Sequence, residues 1–306
     1  MGKEQETMKV KAVLPWFIAL LLVFTLLFLL VKQRGGRVGV YETVVRENDM
    51  VSTMRLNLLR AAEAEKSAVL APTDEESQRF ADQARLAATN VDKTRRELGS
   101  LIEKDDSVLE TTRIGEFDTC WKKSENLDRL ILGLAVQNTN LHATSLALTK
   151  GAAVVSDLER NLLRLIDSGG PESRNVRTVR LAYQAIVAGL KVHDLYTAHI
   201  EAETGEQMAG IEEKIKANEQ ILARSLKELG GSISGSGRGA VKDAAADNVE
   251  LEKITKKIIA LSRENTNIKS LKLSLGKKRL ITAQCDEILS TLQEVIRNRG
   301  TTNATR

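Results

Sequence analysis

The sequence predicts an all-α protein, an N-terminal transmembrane helix followed by six helices that form two stacked four-helix bundles sharing two long helices. Three observations point there. Proline occurs only at Pro15, Pro72 and Pro171 in 306 residues, leaving long stretches rich in Ala, Leu, Glu, Lys and Arg, which is the composition of long helices. Only ten residues are aromatic, and four of them (Trp16, Phe17, Phe24, Phe28) sit in one N-terminal apolar run. A sandwich or doubly wound sheet of this size draws on more aromatic and β-branched residues, with turns at short intervals. Apolar positions instead recur at spacings of three and four, as a helix in a bundle requires. An all-β protein is excluded, and an α/β enzyme is disfavoured.

The first element is the apolar run. Residues 12–31 carry no charge over twenty positions, which at 1.5 Å per residue span about 30 Å, the thickness of a bilayer's hydrocarbon core. A cleaved signal would have a shorter apolar region ending in small residues, whereas this run ends in Leu29-Leu30-Val31-Lys32-Gln33-Arg34. We read an uncleaved membrane anchor, a cytoplasmic tail over residues 1–11, and an exported body. The charge follows the anchor. Residues 1–37 hold six bases and two acids and account for the whole net charge of +4, so the basic balance belongs to the membrane flanks. With no basic body and few aromatics to stack on bases, nucleic acid is not an expected partner.

The remaining elements follow from starts and stops. An amphipathic helix over about Tyr41 to Leu70 ends at Ala71-Pro72, and Thr73-Asp74-Glu75-Glu76 opens a second to about Glu103, in the pattern of a capping box. Ser107 with Glu110 opens a long third helix to Ile166, stopped by Ser168-Gly169-Gly170-Pro171. A fourth helix runs over about Ser173 to Ala202, and Thr204 with Gln207 caps a fifth to about Leu229. A Gly/Ser loop over residues 230–239 leads to a second long helix, about Lys242 to Asn298.

The order short, short, long thus occurs twice. Leu134-x-x-x-Asn138-Thr139-Asn140-Leu141 returns as Leu261-x-x-x-Asn265-Thr266-Asn267-Ile268, 127 residues on. Ala71-Pro72-Thr73 aligns with Ala202-Glu203-Thr204, and Glu97-Leu98-Gly99 with Glu228-Leu229-Gly230, both at an offset of 131. We read an internal duplication. Short helices of roughly 45 Å and long ones of roughly 85 Å then build one body over residues 38–300. Its membrane-proximal bundle takes about residues 41–138 plus 267–298, its distal bundle about 139–266, and residues 301–306 form a tail. On the first long helix the expected seam is Leu127, Ile131, Leu134, Asn138, Leu141, Ser145, Leu148, Ala152 and Val155. On the second it is Leu251, Ile254, Ile258, Leu261, Asn265 and Ile268.

A buried asparagine on such a seam is costly unless it is bonded. Asn138, Asn140, Asn265 and Asn267 therefore either staple a structural junction at mid-height, near the turns at Pro72 and Glu203, or line a ligand site. Cys120 and Cys285 each lie eighteen residues from the asparagine motif of their helix, so antiparallel long helices carry them at equal height. They either form a disulfide, which an exported body permits, or are small buried residues. His142, His193 and His199 lack the spacing of a helical metal site. No nucleophile triad, phosphate-cradling loop or catalytic carboxylate pair stands out, so neither a metal, a cofactor nor an enzymatic activity is expected.

The span, the hairpin Ala71-Pro72-Thr73-Asp74-Glu75 and the two Asn-Thr-Asn helices together resemble, over about residues 8–300, the helical bimodular sensory domain of bacterial methyl-accepting chemotaxis receptors. The resemblance implies a periplasmic homodimer that binds a small organic acid between bundle helices, often through arginines, and relays a helix shift toward the membrane. Bidentate arginines suit a carboxylate. The candidates are Arg55, Arg60, Arg129 and Arg279 in the proximal module, and Arg180, Lys191 and His193 with Arg160 and Arg164 in the distal one. Receptors of this kind continue into a second span and a cytoplasmic signalling region. The 306 residues hold neither, so the resemblance implies either a longer receptor or a signalling partner subunit. A membrane-anchored helical scaffold without a small-molecule ligand is the competing reading.

Overall fold

A computed structural model describes residues 42–305 except 105, 169 and 173. The predicted membrane helix and cytoplasmic tail lie outside the described residues. Among the described residues every regular element is helical, and no helix is long and apolar enough to cross a membrane.

Helix α1 covers residues 42–70. It is followed by α2 (Asp74–Lys104), α3 (Val108–Ala135), α4 (Thr139–Leu146), α5 (Ala152–Asp167) and α6 (Val176–Glu201). The remainder comprises α7 (Gly205–Ser232), α8 (Arg238–Glu264), α9 (Thr266–Leu273) and α10 (Arg279–Thr305). Local chemistry sets the starts. The Thr73 hydroxyl accepts the Glu76 N–H at 3.2 Å, and Thr204 and Gln207 form the reciprocal capping box expected of them. Asn175 caps α6 by accepting from the Arg177 N–H at 2.8 Å. The box expected at Ser107 takes another form, because the buried Glu110 carboxylate lies 3.0 Å from Arg299. Between α7 and α8 the loop is shorter than its composition suggests. Gly235 turns it at φ 64°, and a Cβ on Gly237 would meet Leu165 Cδ1 at 2.7 Å.

Neither expected long helix is continuous. Asn138 (φ 48°) and Asn265 (φ 52°) adopt the left-handed conformation, which asparagine tolerates better than other residues with a side chain. Asn265 ends α8 and begins α9, while Asn138 begins α4 after a short turn past the end of α3. Nine residues beyond each break the backbone widens into a π-helical turn, Ala147–Gly151 and Ser274–Lys278. The left-handed break at Asn138 re-phases the buried stripe of the helix that follows it. Leu148 and Ser145, expected on the seam, are exposed, while Ala143, Ala147 and Gly151 are buried. The second seam keeps Leu251, Ile254, Ile258 and Asn265 buried.

The chain divides into two compact units. Of the described residues, the first comprises 42–62, 85–125 and 280–305. Four helical segments, from α1, α2, α3 and α10, bury Val51, Met54, Leu58, Leu98, Phe117, Trp121, Leu289 and Ile296 in one core. Within it Cys120 and Cys285 form a disulfide with Cα atoms 5.7 Å apart. The buried Glu47 and Glu110 both meet Arg299, tying α10 to α1 and α3. The second unit comprises residues 63–84 and 126–279. Val155, Leu158, Leu162, Ala185, Leu222, Leu226 and Leu251 fill one of its cores, drawn from α5, α6, α7 and α8. Ala143, Val192, Tyr196, Ile215 and Ile258 fill another. A third is alanine-rich, with Ala68, Ala81, Ala84 and Ala135 around Ile131 and Leu132.

The disulfide closes a loop of 165 residues, and cross-linking so distant a pair restricts the unfolded chain strongly. Replacing both cysteines by alanine is expected to lower the unfolding free energy by about 2–5 kcal/mol. Thermal melts should show this as a lower midpoint. Reductant should lower the wild-type midpoint and leave the double variant unmoved.

Candidate functional site

Within the second unit the two Asn-Thr-Asn motifs meet as near mirror copies. The Thr139 and Thr266 hydroxyls lie 3.2 Å apart, and each accepts the other residue's backbone N–H at 3.2 Å. The Asn140 N–H donates to Asn267 Oδ1 at 3.2 Å, and the Asn267 N–H to Asn140 Oδ1 at 3.3 Å. Asn140 Nδ2 donates to Asn265 Oδ1 at 2.8 Å, and Asn267 Nδ2 to Asn138 Oδ1 at 3.0 Å. The outer groups reach the helix turns. Asn140 Nδ2 also donates to the Ile200 carbonyl and Asn265 Nδ2 to that of Ala202, while Asn138 Nδ2 donates to Asp74. The helix breaks explain the pattern. Left-handed asparagines open the backbone N–H groups of the following turn, and the opposing motif accepts them. Of the two alternatives open in the sequence, this geometry is that of a junction whose polar groups bond one another.

Around this junction the duplication places different chemistry at equivalent positions. Glu65, Asp128, Ser274 and Lys278 are all buried in the second unit, with Lys278 2% exposed. Lys278 Nζ donates to Asp128 Oδ2 at 2.6 Å. At offsets of 131 and 127 their counterparts are Tyr196, Thr255, Ala147 and Gly151. There the Tyr196 hydroxyl lies 2.7 Å from that of Thr255, and the tyrosine ring packs 3.4 Å from the position a Cβ would take on Gly151. Burial pushes the Tyr196 phenol up to about 12, partly offset by its bond to Thr255. The exchange also runs the other way. His199 Nδ1 lies 2.9 Å from Ser262 Oγ, and Nε2 lies 2.9 Å from Glu212. Arg263 bonds Glu212 and, with help from His199, holds its carboxyl below the usual range. The counterparts of His199, Glu212 and Ser262 are Ala68, Ala81 and Ala135, all in the alanine-rich core. Serine, histidine and glutamate in a row suggest a hydrolase. Here the fully buried Ser262 hydroxyl donates to the His199 carbonyl at 2.9 Å, so the row is a structural strut across α6, α7 and α8.

The predicted cations fall into five settings. Arg55 pairs with Asp286 at 2.8 Å and reaches Gln293 at 3.3 Å, and the bond to Asp286 raises its pKa further. Arg60, Arg129 and Arg279 are exposed and do not face a bundle interior as expected; the α-helical period carries them to the outer faces, and Lys278 is the buried cation instead. Arg160 and Arg164 make surface pairs with Asp157 and Asp243. His193 points inward, its Nε2 3.1 Å from the carbonyl of Ala147 in the π turn. Arg180 and Lys191 both lie on α6, about 16 Å apart along its axis. They flank an open groove of about 760 Å³ between α6 and α7, lined also by Tyr183, Gln184, Val187, Asn218 and Ile221. Neither cation has a carboxylate within ion-pair distance among the described residues, and no acid lines the groove. Such a surface can hold a carboxylate through charge-assisted bonds while its apolar floor takes a carbon skeleton.

Sequence reasoning passed over Glu65, Asp128 and Lys278, because one charge per helical turn reads as a solvated face. The signal was available in the repeat. A position occupied by Tyr196 or Thr255 in one copy and by a charge in the other marks a buried charge. Among the described residues no group of three or more His, Cys, Asp or Glu is placed to hold a metal. No protein-family profile matches the chain, and no curated protein matches it either.

The junction's mutual bonds predict non-additive substitutions. Thr139→Ala and Thr266→Ala should each destabilise by about 1–3 kcal/mol, since each leaves buried backbone N–H groups without an acceptor. The double variant should cost less than the sum by at least about 0.5 kcal/mol. Additive chemical-denaturation values would remove the reciprocal pairing.

Proposed function

We propose that the chain is a membrane-anchored, ligand-sensing module that binds a small organic acid in the α6–α7 groove. The observation that carries this reading is the pair Arg180 and Lys191, flanking one groove without a competing acid. Two stacked four-helix bundles, joined through the Asn-Thr-Asn junction, are the architecture we infer for the whole body. The body lies in the periplasm, consistent with the disulfide, on a bacterial inner-membrane anchor formed by residues 12–31. It works as a homodimer and passes its signal to a cytoplasmic partner or region. The groove sits beside α6, whose other face holds His193 against the π turn. An acid bound by Arg180 and Lys191 therefore has a short physical path to a conformationally unusual segment.

A specific observation favours a second reading. Tyr183, Val187, Leu190 and Ile221 on α6 and α7 are exposed, Tyr183 by 51%, and an apolar stripe of that kind also suits a partner helix. On that reading the protein is an anchored scaffold.

Calorimetric titration of the detergent-solubilised chain with a panel of mono- and dicarboxylates separates the two. Sensing predicts saturable binding of one acid class, weakened at least ~10-fold in Arg180→Ala and in Lys191→Ala, as the loss of a charge-assisted bond implies. Unaltered affinity in both variants would move the site elsewhere. A panel without heat would favour the scaffold.

A further inference from the structure

Glu65 is 0% exposed, and its carboxylate has no charged hydrogen-bond partner, only the neighbouring Ser274 hydroxyl of the π turn. Facing it are Asp128 on α3, Lys278 and Ser274 on the π turn, and Lys66 on its own helix. The α2 segment of this unit adds Ala81 and Ala84 to the neighbouring core and no charge to Glu65. Lys278 is committed to Asp128 at 2.6 Å. With both acids ionised, the buried set of two carboxylates and one ammonium carries an excess negative charge, which a low-dielectric interior strongly disfavours. The cheapest remedy is a proton. Burial, with the charge of Asp128 adding to it, holds the Glu65 carboxyl above its ordinary range, and burial raises that of Asp128 as well.

The duplication shows that the fold does not need these charges. The other copy fills the corresponding places with Tyr196, Thr255, Ala147 and Gly151 and packs its own π turn around them. Both π turns occur, so the charges are an addition particular to one copy. They lie against the turn itself, since its buried residues are Ser274 and Lys278.

We propose that Glu65 is the proton-binding element of a pH-responsive latch on the Ser274–Lys278 turn. Protonated, Glu65 leaves Asp128 and Lys278 as a balanced pair that pins the turn to α3. Ionised, it repels Asp128 and competes for Lys278, and the turn loosens. The sign follows from linkage. A carboxyl that titrates higher in the folded state than in the unfolded one binds more protons when folded, so its contribution to stability falls as pH rises above the ordinary glutamate range. Most paired surface carboxylates act in the opposite sense.

The test uses the full chain in detergent between pH 5 and pH 8, with Glu65→Gln as the variant that keeps shape and removes the titration. The wild-type thermal midpoint should fall over this range by about 2–4 °C more than that of Glu65→Gln, the scale on which a modest linkage moves the midpoint of a protein of this size. Hydrogen exchange of the amides of residues 274–278, corrected for intrinsic rates, should become several-fold faster in the wild type and stay constant in the variant. Parallel melting profiles with pH-independent protection would overturn the latch. If Glu65→Gln does not fold, exchange in the wild type decides alone, and protection that does not change with pH has the same force.

Discussion

The structure hangs on a reciprocal exchange of hydrogen bonds between two left-handed asparagine breaks. A helix broken in its middle exposes backbone donors, and burying them without acceptors would cost a few kcal/mol for each. Here each break supplies what the other lacks. Thr139 and Thr266 accept one another's N–H groups, and Asn140 and Asn267 do the same. Neither break is tolerable alone, so the two halves of the repeat are held in register by the same atoms that interrupt them. The fixed phase of the π turns, nine residues after each asparagine, belongs to the same constraint.

Duplication gives a way to separate what the fold requires from what one half has acquired. Positions alike in both copies, the motif itself and the π turns, carry the architecture. Positions that differ in charge carry something else. Glu65, Asp128 and Lys278 correspond in the repeat to Tyr196, Thr255 and Gly151, and His199, Glu212 and Ser262 to three alanines. A buried ionic group stabilises less than a well-packed apolar one of similar volume, so stability alone does not account for the Glu65 cluster. By contrast, the His199 array has its polar atoms bonded, and a structural role suffices for it.

Much of this was legible in advance. Proline placement located the end of α1, Thr73 and Thr204 located two helix starts, and the 127-residue echo located the junction. Cys120 and Cys285 were placed at equal height by counting from the asparagines, and the disulfide joins them. The cationic groove was half visible, through Arg180 and Lys191 but without Tyr183, Gln184 or Asn218. The seam beyond Asn138 differs because periodicity assumes one uninterrupted helix at 3.6 residues per turn, and the left-handed break at Asn138 re-phases the helix before the π turn is reached. Arg60, Arg129 and Arg279 were expected inside for want of any one-dimensional signal for facing.

Sequence alone determined the helical class, the elements' order and their repetition, because composition, caps and apolar spacing are local properties that act through the chain's own backbone. Tertiary structure alone decided where the helices break, which cation is buried, and that the groove lies on α6 and α7. Those depend on which hydrogen-bond acceptors and which charges another segment brings to the same place. A left-handed asparagine is affordable only when a second one, 127 residues away, accepts the N–H groups it sets loose.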